Sequence, residues 1–219
     1  MASVGVYARG KFCGNLKVLR PSELLRSPAR QAADHYTSFG EHQSTGRKMI
    51  EEAKIIDQPY SGEFEERIYD NESVWNSSNW SWIKFVNDDY TEWCGQFRGS
   101  PRQVALSKKY NTVLVLTSDY MFQLDRLSGN IMEIEGTPQY HNLTVSPNGE
   151  YLIADYYRIE KISKNICLKV EIKSPVQMDN IKFGSWSEDI LEITCDEFMN
   201  WDRHLIMEYN CNTNKIEMK

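Results

Sequence analysis

Among the 219 residues there is no unbroken apolar stretch of the roughly 18 that a membrane-spanning helix needs. The opening MASVGVYARGKFCGNLKVLR holds no apolar core of signal-peptide length, so export by that route is not expected. Cysteine is scarce and unpaired in pattern: Cys13, Cys94, Cys167, Cys195 and Cys211 are odd in number and form no CxxC. That fits unpaired, mostly buried thiols in a reducing cytoplasm, with a disulfide framework as the weaker reading. In a cytoplasmic chain the sequons at Asn79 and Asn142 carry no sugar. The four histidines, His35, His42, His141 and His204, show neither HExxH nor HxH spacing, so no metal is expected. The G-x-S-x-G elbow and the glycine-rich phosphate loops are also missing, and no cofactor is expected.

Positive charge is scarce in the main body. Residues 1–48 hold eight Lys/Arg and three Asp/Glu; the remaining 17 Lys/Arg and 28 Asp/Glu fall after them. Residues 49–219 therefore carry a net charge of −11 within the total of −6. An acidic body disfavours phosphate contacts, so neither nucleic acid nor membrane is expected as a partner. It favours plain solubility or a basic protein partner.

Residues 1–48 differ from the rest. PSELLRSPARQAADHYTSFGEHQSTGRK is polar and rich in Ser, Arg and Gly. Ser22 suits a helix N-cap, but Pro28 interrupts the run and no apolar stripe lasts three turns. The segment reads as loosely ordered or weakly helical. Met49 opens MIEEAKIID as a natural start would, and Gly46-Arg47-Lys48 is encodable by a purine-rich, ribosome-binding stretch. Both point to a native chain beginning at Met49, with 49–219 as the folded domain.

What the body has in abundance is short, β-branched and aromatic runs closed by turn residues. QVALS (103–107), TVLVLTS (112–118), YMFQLD (120–125) and IMEIE (131–135) make one unit of four strands. TVLVLTS is almost wholly apolar, as a strand covered on both faces must be. The order returns in NLTVS (142–146), YLIADYY (151–157), RIEKIS (158–163) and ICLKVEI (166–172). A third unit follows in NIKFGSW (180–186), ILEITCD (190–196), a strand around HLIMEY (204–209), and KIEMK (215–219). Val104, Leu143 and Ile181 occupy matching places 39 and 38 residues apart. Ahead of these units, SWIKFVND (81–88) and EWCGQFRG (92–99) read as the last two strands of an earlier unit, with residues 63–75 completing it. Gly-Ser-Pro at 99–101 and Gly-Thr-Pro at 136–138 mark the crossings between units; Pro101, Pro138 and Pro175 lack the N–H a ladder needs.

A period near 40 with four strands per unit resembles the rhythm of WD40-like β-propeller blades over residues 80–219. The Gly-His and Trp-Asp signatures of that family are missing from the blade ends, apart from Trp201-Asp202. Phrases such as NWSWIKFV, VLVLTSDY and NWDRHL are similar to those of small bacterial β-repeat proteins to which no activity attaches. The expected fold is therefore all-β: three and a half to four four-stranded antiparallel units, as a propeller-like ring or as open stacked sheets.

Two clusters stand out as binding candidates. One is the stretch 74–99, with Trp80 and Trp82 beside Asp88, Asp89 and Glu92. ADYYR (154–158) adds Tyr156 and Tyr157 to that aromatic face; the other cluster is CDEFMNWDRH (195–204), which holds Asp202 and Arg203. Aromatics rimmed by carboxylates suit a basic protein ligand. By analogy with short, acidic, β-rich bacterial proteins, the chain reads as a cytoplasmic protein-binding module, an immunity protein that occludes a basic toxin domain. The second reading is a small hydrolase-like enzyme using the polar cluster at 195–204, where Asp196, Glu197, Asp202, Arg203 and His204 would supply carboxylate, orienting cation and base. The third is a homodimer, with the strands of residues 81–99 pairing across a two-fold axis.

Overall fold

The computed structural model describes residues 48–71 and 73–219. The basic segment at 1–48 lies, Lys48 apart, outside the described residues. Those residues form sixteen strands and no helix. The first sheet holds β1 (Ile50–Ile56), β2 (Glu65–Tyr69), β3 (Trp80–Asn87) and β4 (Glu92–Arg98). The second holds β5 (Pro101–Ser107), β6 (Thr112–Thr117), β7 (Tyr120–Asp125) and β8 (Ile131–Gly136). The third is β9 (Asn142–Val145), β10 (Tyr151–Ala154), β11 (Ile159–Ile162) and β12 (Lys169–Ile172). The fourth is β13 (Met178–Ser187), β14 (Ile190–Glu197), β15 (Asn200–Asn210) and β16 (Lys215–Met218).

The last three sheets are antiparallel meanders in chain order, as the repeat predicts. The first sheet differs. Its spatial order is β1-β3-β4-β2, and β2 pairs with β4 in parallel. Strands 80–87 and 92–98 are the last two of their unit in chain order, as expected, but in space they are its two middle strands. This also corrects the two-fold pairing expected for 81–99: β3 is flanked by β1 and β4, and β4 by β3 and β2, so neither has a free edge.

Sheets bury apolar faces by stacking. Ile83, Phe85 and Phe97 of the first sheet pack with Val113, Val115 and Phe122 of the second. The opposite face of β6 sends Leu114 and Leu116 into a second core with Tyr151 and Ile153 of β10. The other face of β10 sends Leu152 and Ala154 into a third core with Leu191, Ile193 and Met207. All residues of β6 and β10 are buried, which is why TVLVLTS and YLIA carry no alternation. Four sheets thus share three cores. Among the described residues, no buried cluster joins the fourth sheet to the first. β5 lies beside β1 and β9, and β9 beside β13, while β13 and β1 share no extensive contact. Among the described residues the sheets form an open stack, with no core between the fourth sheet and the first.

Three strands of the third sheet fall short of their expected length: YLIADYY ends at Ala154, RIEKIS is strand only over Ile159–Ile162, and ICLKVEI is shortened at its start. ICLKVEI alternates from Ile166, yet only Lys169–Ile172 is strand. Asn165 caps a turn by accepting the N–H of Cys167 at 2.7 Å and, through its carbonyl, that of Leu168 at 3.0 Å. The turn breaks the parity. Ile166 enters the second core and Ile172 the third, while Leu168 and Val170 stay exposed. Among the thiols, Cys94, Cys195 and Cys211 are buried and free. Cys167 does not belong with them: it is exposed and is not free.

Candidate functional site

The β10–β11 turn is built by Asp155. Its Oδ1 accepts the N–H of Tyr157 and of Arg158, both at 2.7 Å, and its own N–H donates to the Arg158 carbonyl at 3.1 Å. An aspartate that satisfies its own turn leaves the two tip residues free of the ladder. Those residues are Tyr156 and Tyr157, about half exposed. Tyr156 lies 4.3 Å from the His141 ring. His141 is drawn in by its N–H, which donates to the Ala154 carbonyl at 2.8 Å. Burial lowers the imidazole pKa, and the nearby Arg102 guanidinium lowers it further. Arg102 donates to the carbonyls of Pro138 and Tyr140, holding the β8–β9 loop in place.

The β14–β15 turn meets this tip from the next sheet. The Phe198 N–H donates to the Gln177 carbonyl at 2.9 Å, and its ring meets Tyr157 edge-on at 5.9 Å. Beside it Met199 adopts a positive φ of 63°. That conformation is costly for a residue with a Cβ. Phe198, Met199 and Trp201 are 41%, 79% and 70% exposed. Below Tyr157 and Phe198 opens a cleft of about 660 Å³, floored by Ile172, Val176 and Met178 and edged by Arg158. The result is a run of aromatic and apolar side chains at one end of the third and fourth sheets. Large exposed apolar groups gathered this way are uncommon on a surface that meets only water.

Arg158, Lys173 and Glu171 line the cleft itself, while Asp155, Asp179, Asp196, Glu197, Asp202 and Arg203 belong to the adjoining turns and strand ends. His204 Nδ1 lies 2.6 Å from Asp196 Oδ1, and this contact, with an Asn180 amide, holds Asp196 below the usual carboxylate range. Asn200 and then Arg203, at 2.9 Å, do the same for Glu197.

The expected site residues fall into two separate groups. Tyr156, Tyr157 and Arg203 are joined through Phe198 and its neighbour Glu197, and Asp202 stands exposed next to them. Trp80, Trp82, Asp88, Asp89 and Glu92 belong to the first sheet, away from that end. Trp80 lies under the Arg98 guanidinium at 3.8 Å, and Arg98 is bonded twice to Asp70. Asp88 accepts the Met49 N–H, Asp89 caps the Thr91 backbone and side chain, and Glu92 pairs with Lys84. All three acids are accounted for by turn and ladder geometry. Sequence reasoning passed over Phe198, Met199 and Trp201. The signal was there: apolar residues at a hairpin tip, where turn chemistry asks for Gly, Asn or Asp.

For hydrolase chemistry, Asp202, Arg203 and His204 would have to converge. All three are exposed, and His204 and Arg203 are engaged with different carboxylates, Asp196 and Glu197, where the β14–β15 ladder is irregular. None of the three lines the cleft. Among the described residues no group of His, Cys, Asp or Glu is placed to hold a metal ion. No helix is long and apolar enough to cross a membrane. No protein-family model matches the chain, and no curated protein matches it.

Proposed function

We propose that this chain is a protein-binding module that engages its partner through the Tyr156–Tyr157–Phe198–Trp201 end of the third and fourth sheets. The observation that supports it is the exposed aromatic cluster on rigid hairpin tips with carboxylates around it. Aromatic anchors of this kind carry most of the energy in protein interfaces, and a carboxylate rim speeds encounter with a basic surface. The partner proposed is a basic protein. An immunity protein that covers a basic toxin's active surface is the biological form this reading takes. The free, buried thiols of Cys94, Cys195 and Cys211 agree with a reducing compartment, and the cytoplasm is the proposed location.

The test is capture from the native host with the tagged chain and with a Tyr157→Ala, Phe198→Ala double variant of unchanged melting temperature. The expected result is one stoichiometric basic partner, held less tightly as salt rises and lost by the double variant. A partner retained equally by both chains would refute this surface.

A further inference from the structure

A second surface lies on the outer edge of the third sheet, with the opposite charge preference. β12 is an end strand: among the described residues it pairs with β11 on one side and with nothing on the other. Which of its backbone groups are free follows from the ladder. The Asp155–Arg158 bond makes Arg158, Glu160 and Ile162 the residues that face β10. Ile159 and Lys161 therefore turn to β12, where they meet Ile172 and Val170. The N–H and C=O of Lys169 and Glu171 are left pointing outward. Such a row is a ready template for another strand.

Apolar groups stand beside this edge. Leu168 and Val170 are 68% and 61% exposed. Val170 and Ile172 open onto a groove of about 400 Å³ whose far wall is Ile216 of β16. The charges around it run against the acidic body. Lys164 and Lys173 bracket β12, and Lys215 faces it across the groove; none of the three has an ion-pair partner among the described residues. Lys169 is already paired with Glu135, Lys161 with Glu150, and the one carboxylate on the strand is Glu171. Lysines at an edge disfavour pairing with an identical edge of a second copy, because like charges would meet. They favour an acidic strand.

We infer that β12 receives an extended, acidic–apolar segment of a partner protein as a fifth strand of the third sheet. Main-chain bonds to Lys169 and Glu171 would hold it, alternate apolar side chains would enter the groove beside Val170 and Ile216, and its carboxylates would meet Lys164, Lys173 and Lys215.

The probe is a fluorescein-labelled nine-residue peptide alternating Glu with Val, followed by anisotropy against the full chain at low salt. Saturable binding is expected, weakened at least tenfold in Glu171→Pro. That substitution removes an outward N–H and leaves the β11–β12 ladder bonds in place. A Lys173→Glu, Lys215→Glu double variant, on exposed sites that do not carry the fold, should weaken the Glu/Val peptide tenfold and favour a Lys/Val peptide instead. Tyr60→Ala, at an exposed site between β1 and β2, should change nothing. Absence of saturable binding, equal binding of the two peptides by the unaltered chain, or unchanged binding by Glu171→Pro would overturn the inference. So would a dimer by light scattering that Glu171→Pro dissolves, since that would assign the edge to a second copy.

Discussion

The phrase Gly-small-Pro occurs twice, and the two glycines do different work. Gly99 has a φ of 104°, and a Cβ there would stand 2.7 Å from Thr117 Oγ1 and 2.9 Å from the Asp119 nitrogen. Gly136 has ordinary backbone angles, and the nearest atom to its Cβ would be 3.7 Å away. In the second phrase the left-handed residue is Thr137, at φ 49°, one place later. Gly99→Ala is thus expected to cost about 2 kcal/mol or more, from strain and contact together. Gly136→Ala should stay within about 0.5 kcal/mol. Urea midpoints of the two variants decide it; equal losses would mean that the phrase acts as one motif. The repeated letters were legible in the sequence. Which residue turns left-handed was not, because that depends on the hydrogen bonds around each crossing. At Gly99 the N–H bonds the Asn79 carbonyl, and its carbonyl accepts the Ser81 hydroxyl at 2.6 Å.

Between sheets, strands are joined by side-chain amides as well as by isolated backbone bonds such as the Ile50 N–H to the Arg126 carbonyl at 3.0 Å. Gln103 of β5 accepts the Leu143 N–H of β9. Asn142 of β9 donates to the Ile181 carbonyl at 2.9 Å and accepts the Phe183 N–H at 3.2 Å, both on β13. Gln123 of β7 donates to the Lys164 carbonyl and accepts the Ile166 N–H, fixing the β11–β12 turn. Asn142 is 8% exposed, so replacing it leaves two backbone groups with little water to turn to. Asn142→Leu should destabilise the chain by about 2–3 kcal/mol. The loss should appear at β9 and β13 in backbone amide shifts; shifts confined to β9 alone would show that the amide does not couple the sheets. The strands themselves were readable from β-branched runs and turn residues. β1 was not: residues 63–75 were expected to complete the first unit and do hold β2, but Ile50–Ile56 lies ahead of them and takes its place by pairing with β3. The β12 boundary was misread because alternation cannot reveal a turn capped by Asn165.

An open stack has two inner sheets and two end sheets, and each sheet contacts only its neighbours. Stability in such arrays is the sum of local and nearest-neighbour terms. β6 and β10 are buried on both faces, so their amides should exchange most slowly, and those of β2 and β16 among the fastest. Hydrogen exchange read by mass spectrometry checks this; uniform protection across the four sheets would contradict it. The end faces are finished with charge: Lys219 reaches Glu192 at 3.0 Å and Glu208 at 3.3 Å on the fourth sheet. The pH profile follows from groups between strands and sheets. Bonds from Arg98 hold Asp70 low, and Lys108 with Arg126 does so for Glu51. Burial pushes Glu150 up, but Lys161 and Lys109 outweigh it and hold it low. Carboxylates depressed in the fold stabilise it above their unfolded pKa, and that contribution is lost as pH falls below about 4. Burial pushes Tyr69, Tyr151 and Tyr209 up to about 12, and Cys94 and Cys195 up to about 11. Groups raised in the fold stabilise it below their unfolded pKa, and that contribution fades as pH climbs past about 9. His141 is also held below its ordinary value by burial, so its contribution is lost as pH falls below about 6.5. Urea midpoints should therefore be flat from about pH 7 to 9 and fall on both sides; a steep slope inside that window would refute the assignment.

By itself the sequence determined most of the strands, a repeat of about 40 residues in three and a half to four units, and the acidic body, since β-propensity, turn residues and net charge are properties of the residues alone. It also marked Tyr156, Tyr157, Asp202 and Arg203 as belonging to a surface. The tertiary structure decided that four sheets share three cores, because whether the last sheet meets the first depends on how the stack is oriented, which no local pattern encodes. It decided that Trp80 and Trp82 lie apart from Tyr157, since the two groups belong to the first and the third sheets. It also placed Phe198 against Tyr157 and left the edge of β12 open. Those contacts join residues about 40 apart in the chain or depend on strand pairing, and only the stacking of one sheet on the next brings such residues together.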